Sequence, residues 1–229
     1  MCASRLLRKS GVAAGLVADA IGWRADLVVQ AGVGQRHTEV DVLREEWPGV
    51  TFIGFDPLPA IDPKSYDGTL IKKALGAGET TATLHVPRRH KDGSSLHKFI
   101  DQETTNTVEV DVTTLDLHFP QRPTTGKILL WLDCEGHELR VLWGANKFLD
   151  WVDVVNVELT ARPPSDDWSS PTLVYKLLQR RGFWMQWIHS QHIHIGQSDA
   201  IFCRQHIFNP SRCCVPQEIL RWNEFHQRS

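Results

Sequence analysis

Apolar residues arrive along this chain in short unbroken runs, separated by stretches of helical or turn character. The clearest run covers 128–132, ILLWL, with no polar alternation, the pattern of a strand buried on both faces of a parallel sheet. Asp133 stops it. If the backbone stays extended there, Asp133 and Glu135 project to one side, and Gly136 permits a sharp turn into the next element. From His137 onward Leu139, Leu142 and Trp143, then Phe148 and Leu149, recur at near-helical spacing, which predicts a helix packed back on the sheet.

The same layout recurs. Residues 27–30 predict a first strand running into the glycine loop of Gly32 and Gly34. Thr38 is placed to cap a helix whose inward face is Val40, Leu43 and Trp47, closed by Pro48 and Gly49. A second strand at 50–55 ends on Asp56, and a weaker third is expected at 70–75. Residues 81–86 and 108–113 read as β-branched or alternating strands on either side of a polar segment, 87–107, expected to be a mobile loop. A buried strand at 152–157 is tipped by Glu158. Ser170 and Pro171 start a helix with Leu173, Val174, Leu177 and Leu178 inward and Gly182 as terminator. Residues 184–188 and 200–203 predict an antiparallel pair, and a short helix is expected in the tail.

Strands alternating with helices predict an α/β fold with a doubly wound, mostly parallel sheet carrying helices on both faces. With 229 residues, 41% of them hydrophobic, one large domain is expected: a helical cap over 1–24, a core over 25–206 and a tail over 207–229. Lys plus Arg number 25 against 27 Asp plus Glu, so no basic field argues for nucleic acid or an anionic membrane. The odd count of 5 cysteines, without a disulfide spacing, points to a reduced, cytoplasmic protein. The apolar stretch 11–22 is interrupted by Asp19 and followed by no small-residue cleavage site. It is read as an amphipathic helix over a sheet edge rather than a secretion signal or membrane span.

In such sheets ligands sit outside the carboxyl ends of the strands, where Asp56, Asp133 and Glu158 all fall. An acid ending the second strand, after a glycine loop ending the first, is placed to accept both hydroxyls of an adenosine ribose, so Asp56 is expected to do so. Gly32 and Gly34 lack the third glycine of a dinucleotide fingerprint, which favours a cofactor without phosphates. Asp133 and Glu158 on neighbouring tips offer oxygen ligands for a divalent cation but specify no metal. His189, His192 and His194, with Cys203, His206, Cys213 and Cys214 beyond, match no standard zinc spacing and read as a polar hairpin. The bland alternatives are a water-facing His137 at the helix start and a Glu138 that complements the helix dipole.

The segment LDCEGHELRVLWGA, residues 132–145, closely resembles the signature of the FkbM family of S-adenosylmethionine-dependent methyltransferases. Phe55, Asp56 and Pro57 resemble its F-E-P; Ala74 and Leu75 its A-L; Gly93, Ser94, Ser95 and Leu96 its G-S-S-L. VTTLD at 112–116 and the strand ending at Leu159 match as well. The resemblance implies a class I methyltransferase fold of seven strands, the last antiparallel, and S-adenosylmethionine as cofactor. It implies cofactor contacts from Gln30, Gly32, Gly34, Arg36, Thr38, Asp56, Ala74 and Leu75. Gln30 stands where the family has an acid, Arg36 where it has a glycine, and Trp131 where it has a lysine. The implied reaction is O-methylation of a hydroxyl or carboxyl on a small metabolite or sugar. Asp133 is its favoured base or metal ligand, followed by Glu135, His137 and Glu158. The altered loop motivates a second reading, a binding or scaffold module that has lost the cofactor. The basic run Arg88, Arg89, His90 and Lys91 is the one hint of an RNA substrate.

Overall fold

The computed structural model describes residues 23–35, 38–87, 91–98, 104–124, 126–161, 167–192 and 196–208. The helices expected in the leader and in the tail lie outside these residues.

Among the described residues ten strands are formed: β1 (Leu27–Ala31), β2 (Thr51–Phe55), β3 (Thr69–Ile71), β4 (Ala74–Leu75), β5 (Thr80–Pro87), β6 (Thr104–Thr113), β7 (Ile128–Leu132), β8 (Val154–Thr160), β9 (Phe183–His192) and β10 (Gln197–Arg204). Seven make one sheet in the order β3-β2-β1-β7-β8-β10-β9. β1 pairs in parallel with β2 and β7, β2 with β3, and β7 with β8; β10 is antiparallel to both its neighbours. This is the expected doubly wound sheet, with the final strand reversed. β4, β6 and β5 form a second, three-stranded sheet that the pattern did not anticipate.

Strand alternation sends the two sides of the central strands into different apolar layers. Val29, Leu130 and Val155 face a core shared with Phe148, Val174 and Leu178. Val28, Leu129, Trp131 and Val154 face Val40, Leu43 and Trp47 from helix α1 (Thr38–Glu46), as its periodicity requires. Burying such side chains contributes roughly 2 kcal/mol each, so the paired layers hold the strand ends in place.

Several expectations need correction. The predicted strand at 70–75 splits at Lys72, whose ammonium donates to the carbonyls of Leu58 and Ile61, so β3 joins the large sheet and β4 the small one. Glu158 lies inside β8 rather than ending it, because β10 pairs along β8 as far as Thr160. Helix α3 (Glu138–Trp143), which follows the short α2 (Leu115–His118), is one and a half turns long, and Trp143 at 52% exposure faces outward; Val141 takes the inward position. In α4 (Pro171–Arg180) Leu173 is likewise exposed while Val174 and Leu178 are buried. The loop expected at 87–107 is not a free loop throughout. β6 begins at Thr104, and residues 91–97 pack on the strand ends, with Ser95 1% and His97 7% exposed. Among its described residues Asp92 and Ser95 hydrogen-bond the backbone of Gln35 and Glu135, which composition alone does not reveal.

Candidate active site

The parallel register aligns the strand ends. Ala31 is level with Phe55 and with Leu132, and Leu132 with Val157, so the next position across the sheet reads Asp56, Gly32, Asp133, Glu158. The row continues into β10, where Asp199 pairs with Glu158. The three acids expected at one end of the sheet are therefore in one row.

Gly32 occupies the left-handed region at φ 79°, and a Cβ there would lie 1.6 Å from the Asp133 carbonyl oxygen. Only glycine lets β1 cross so close to β7. Asp56 fastens this loop: one carboxylate oxygen accepts from the N–H groups of Val33 (2.9 Å) and Gly34 (3.0 Å), the other from Leu58 (2.8 Å). From the other side Asp92 accepts from the Gln35 N–H at 2.6 Å.

The turn after β7 is fixed as firmly. Glu135 is held at φ 48°, a conformation costly for a side chain other than glycine, and Gly136 at φ 94° presses against Trp168, whose ring a Cβ would meet at 2.2 Å. The Ser95 hydroxyl donates to the Glu135 carbonyl (2.6 Å), and that of Ser169 to the Gly136 carbonyl (2.6 Å). Glu138, 2% exposed, curls back to accept from the N–H groups of Cys134 (3.1 Å) and Gly136 (3.0 Å). It is a turn clamp rather than a solvated dipole partner.

Between these fixed loops the carboxylates of Asp133, Glu135 and Glu158 converge, with ligand oxygens within 4.8 Å of one another. Burial, then the charges of Asp56 and Asp92, raise Asp133 to about 6. Burial, then Asp133, Glu138 and Asp92, raise Glu135 to about 8. Burial, then Asp133, Glu135, Glu138 and Asp199, push Glu158 well above the ordinary carboxylate range. Burial, with a smaller push from Asp133, lifts Glu138 to about 7 against the pull of its backbone N–H partners.

His137 does not face water. Its Nδ1 lies 3.1 Å from Nε2 of His97, and burial, His97 and Arg140 depress it to about 3, so the ring is neutral at physiological pH. His97 also packs on Trp168, with ring centroids 6.0 Å apart. Cys134 donates its thiol to the Ala31 carbonyl, and burial beside Glu138 pushes that thiol well up, which excludes a reactive thiolate.

The other sequence candidates fall elsewhere. Gln30 is buried within β1 and accepts from the Tyr66 hydroxyl (3.3 Å), two residues before the glycine turn. Ala74 and Leu75 are buried in β4 among apolar neighbours. Thr38 is the first residue of α1, and Arg36 lies outside the described residues. Of the histidine and cysteine segment, Cys203 is buried and His206 is exposed, 4.0 Å from Asp153. His194, Cys213 and Cys214, like Arg88, Arg89 and His90, lie outside the described residues. Asp92, His97, Trp168 and Ser169 were not singled out in the sequence. A polar residue in a loop gives no sign of which distant backbone group it will meet.

The family profile described as the methyltransferase FkbM domain matches residues 29–185. No curated protein matches the chain. Among solved structures the chain is similar to the magnesium protoporphyrin IX methyltransferase of Synechocystis PCC 6803 with bound SAM (12% identity, TM-score 0.48, covering 85% of this chain and 76% of that one). It is similar to a Burkholderia thailandensis 1,6-didemethyltoxoflavin-N1-methyltransferase (8%, 0.47, 88% and 81%) and to a Geobacter metallireducens precorrin-6y C5,15-methyltransferase (9%, 0.45, 89% and 92%). Among the described residues no helix is long and apolar enough to cross a membrane.

Proposed function

Since the chain belongs to the FkbM methyltransferase family, whose profile spans more than half of it, we propose that it is an S-adenosylmethionine-dependent O-methyltransferase. Its acceptor is a hydroxyl or carboxyl of a small metabolite or sugar. The observation that carries this reading is the convergence of Asp133, Glu135 and Glu158 beside the glycine turn.

The donor set fits the cofactor. Its sulfonium and ammonium are positive, and none of these three carboxylates has a hydrogen-bond donor or a cation against it among the described residues. When bound, the cofactor supplies an electrophilic methyl group. The chain's part is to hold the acceptor oxygen in line and remove its proton. Asp133, at about 6, is largely ionised at neutral pH and suits the base. Glu135, at about 8, is largely protonated there and suits hydrogen-bond donation to the acceptor.

The test pairs binding with turnover. Asp133→Asn is expected to keep the affinity for S-adenosylhomocysteine within about threefold while losing about 10²–10⁴-fold in methyl transfer, the usual contribution of a general base. Full turnover in this variant would exclude Asp133 as the base. One observation favours a module that binds without cofactor chemistry: Asp56 already accepts three backbone N–H groups, leaving little of it for a ribose. That reading holds if millimolar S-adenosylhomocysteine leaves the melting temperature unchanged, because a ligand at a hundredfold excess over its Kd stabilises by about 2.7 kcal/mol.

A further inference from the structure

We propose that Asp133, Glu135 and Glu158 form a binding site for one divalent, oxygen-preferring cation of the magnesium or manganese kind. The three ligand oxygens lie within 4.8 Å of one another, close enough to meet on a single ion. Asp133 and Glu135 flank Cys134 at the end of β7 and in the strained turn after it, and Glu158 comes from β8, so it is the parallel pairing of β7 and β8 that brings the third carboxylate to the other two.

What surrounds them points to a missing partner. Glu158 is 7% exposed and aimed into the cluster, and its neighbours there are other acids: Asp133, Glu135, Glu138 and Asp199. Among the described residues no donor or cation is placed against its carboxylate. Buried carboxylates are ordinarily paired, hydrogen-bonded or bound to metal. Two positions earlier on the same face of β8, the fully buried Asn156 has neither amide atom partnered among the described residues. An unsatisfied amide directly below an unsatisfied carboxylate is what the fold would show if an ion and its waters belonged there. Three carboxylates with open positions left for water or substrate oxygens suit a hard cation, whereas the absence of sulfur or imidazole ligands in the cluster argues against zinc. Binding itself does not depend on the methyl-transfer reading. A role for the ion in orienting the acceptor oxygen does rest on that reading.

Calorimetric titration of the chelator-treated full chain with Mn²⁺ alone, then Mg²⁺ alone, at pH 8 tests the proposal. One ion per chain is expected, with saturation below about 1 mM. Glu158→Gln and Glu135→Gln, near-isosteric and checked for folding by circular dichroism, should each weaken Mn²⁺ by at least about tenfold, the effect of losing one charged ligand interaction. The exposed control Glu109→Gln should not change it. No saturation by about 10 mM, or affinity unaffected by both variants, overturns the proposal. A parallel titration of the metal-free protein with S-adenosylhomocysteine separates the two readings. Ligand binding without Mn²⁺ binding overturns the cation site and keeps the methyltransferase reading. Mn²⁺ binding without ligand binding does the reverse.

Discussion

Substituting Asp56 should damage the fold before it damages any ligand contact. Its carboxylate satisfies three N–H groups, two of them, on Val33 and Leu58, in buried bonds and one, on Gly34, in a partly buried bond. An orphaned buried donor costs about 1–3 kcal/mol, so Asp56→Ala should cost roughly 4 kcal/mol once partial hydration of Gly34 is allowed for. In a chain of this size each kcal/mol lowers the melting temperature by about 2–4 °C, which gives a fall of roughly 8–16 °C. Asp56→Asn keeps one carbonyl oxygen. If that oxygen faces Val33 and Gly34, the new NH₂ meets the Leu58 N–H and only one donor is orphaned, for a loss of about 1–3 kcal/mol. Asp56 is also the largest charge raising Asp133, so in Asp56→Asn the Asp133 titration should move down from about 6. Urea denaturation read by circular dichroism and a ¹³C-carboxyl NMR titration measure the two effects. An Asp56→Ala variant melting within about 2 °C of the parent would refute the loop-fastening role. If Asp56→Asn folds and binds S-adenosylhomocysteine within about threefold of the parent, Asp56 does not hold the ribose.

Apo stability should fall as pH rises between about 6.5 and 8. Glu135 and Glu138 have folded values of about 8 and about 7, above their unfolded ones, so the folded state binds more protons and its advantage is lost as these groups ionise. His137 and His97 act oppositely, since their depressed values favour the fold above about 6.5 and fade on acidification, which leaves the higher window to the carboxylates. Thermal melts in chelator should show the slope, and Glu135→Gln should flatten it; a flat parent profile contradicts the burial of these acids. Gly136→Ala would place a Cβ 2.2 Å from the Trp168 ring at φ 94°, and should cost about 3 kcal/mol or more. In the double variant with Trp168→Ala the losses should fall short of additivity by at least about 1 kcal/mol, and strict additivity in a double-mutant cycle would remove the ring as the cause.

The sequence made the central sheet legible because its strands are buried on both faces. The run at 128–132 carries no polar residue and that at 27–30 only Gln30 at its end, and Asp133 and Asp56 mark where β7 and β2 stop. The helix faces of α3 and α4 were read less well. Trp143 and Leu173 fit the apolar spacing but are exposed, and periodicity gives a direction without saying whether anything stands there to pack against. The split at Lys72 and the second sheet were hidden for a similar reason: β4 is two residues long and exists because β6 offers it a ladder.

The candidate site shows how far local reasoning reaches. That Asp133 and Glu158 would share one end of the sheet follows from strand ends alone, and alternation sets Glu135 on the side of Asp133 only while the backbone stays extended. Glu135 does not keep that extended backbone. It turns inward because its backbone is trapped at φ 48°, and that trap is built by Ser95, forty residues earlier in the chain. The same segment supplies Asp92 to the glycine loop and His97 to His137. A stretch whose composition reads as solvated thus bonds, through Asp92, Ser95 and His97, to the loops at the strand ends, where four raised carboxylates lie closer than their charges favour. Such an arrangement costs the apo fold stability as its acids ionise, and it is worth keeping only if something positive, whether sulfonium, ammonium or metal, comes to lie among them.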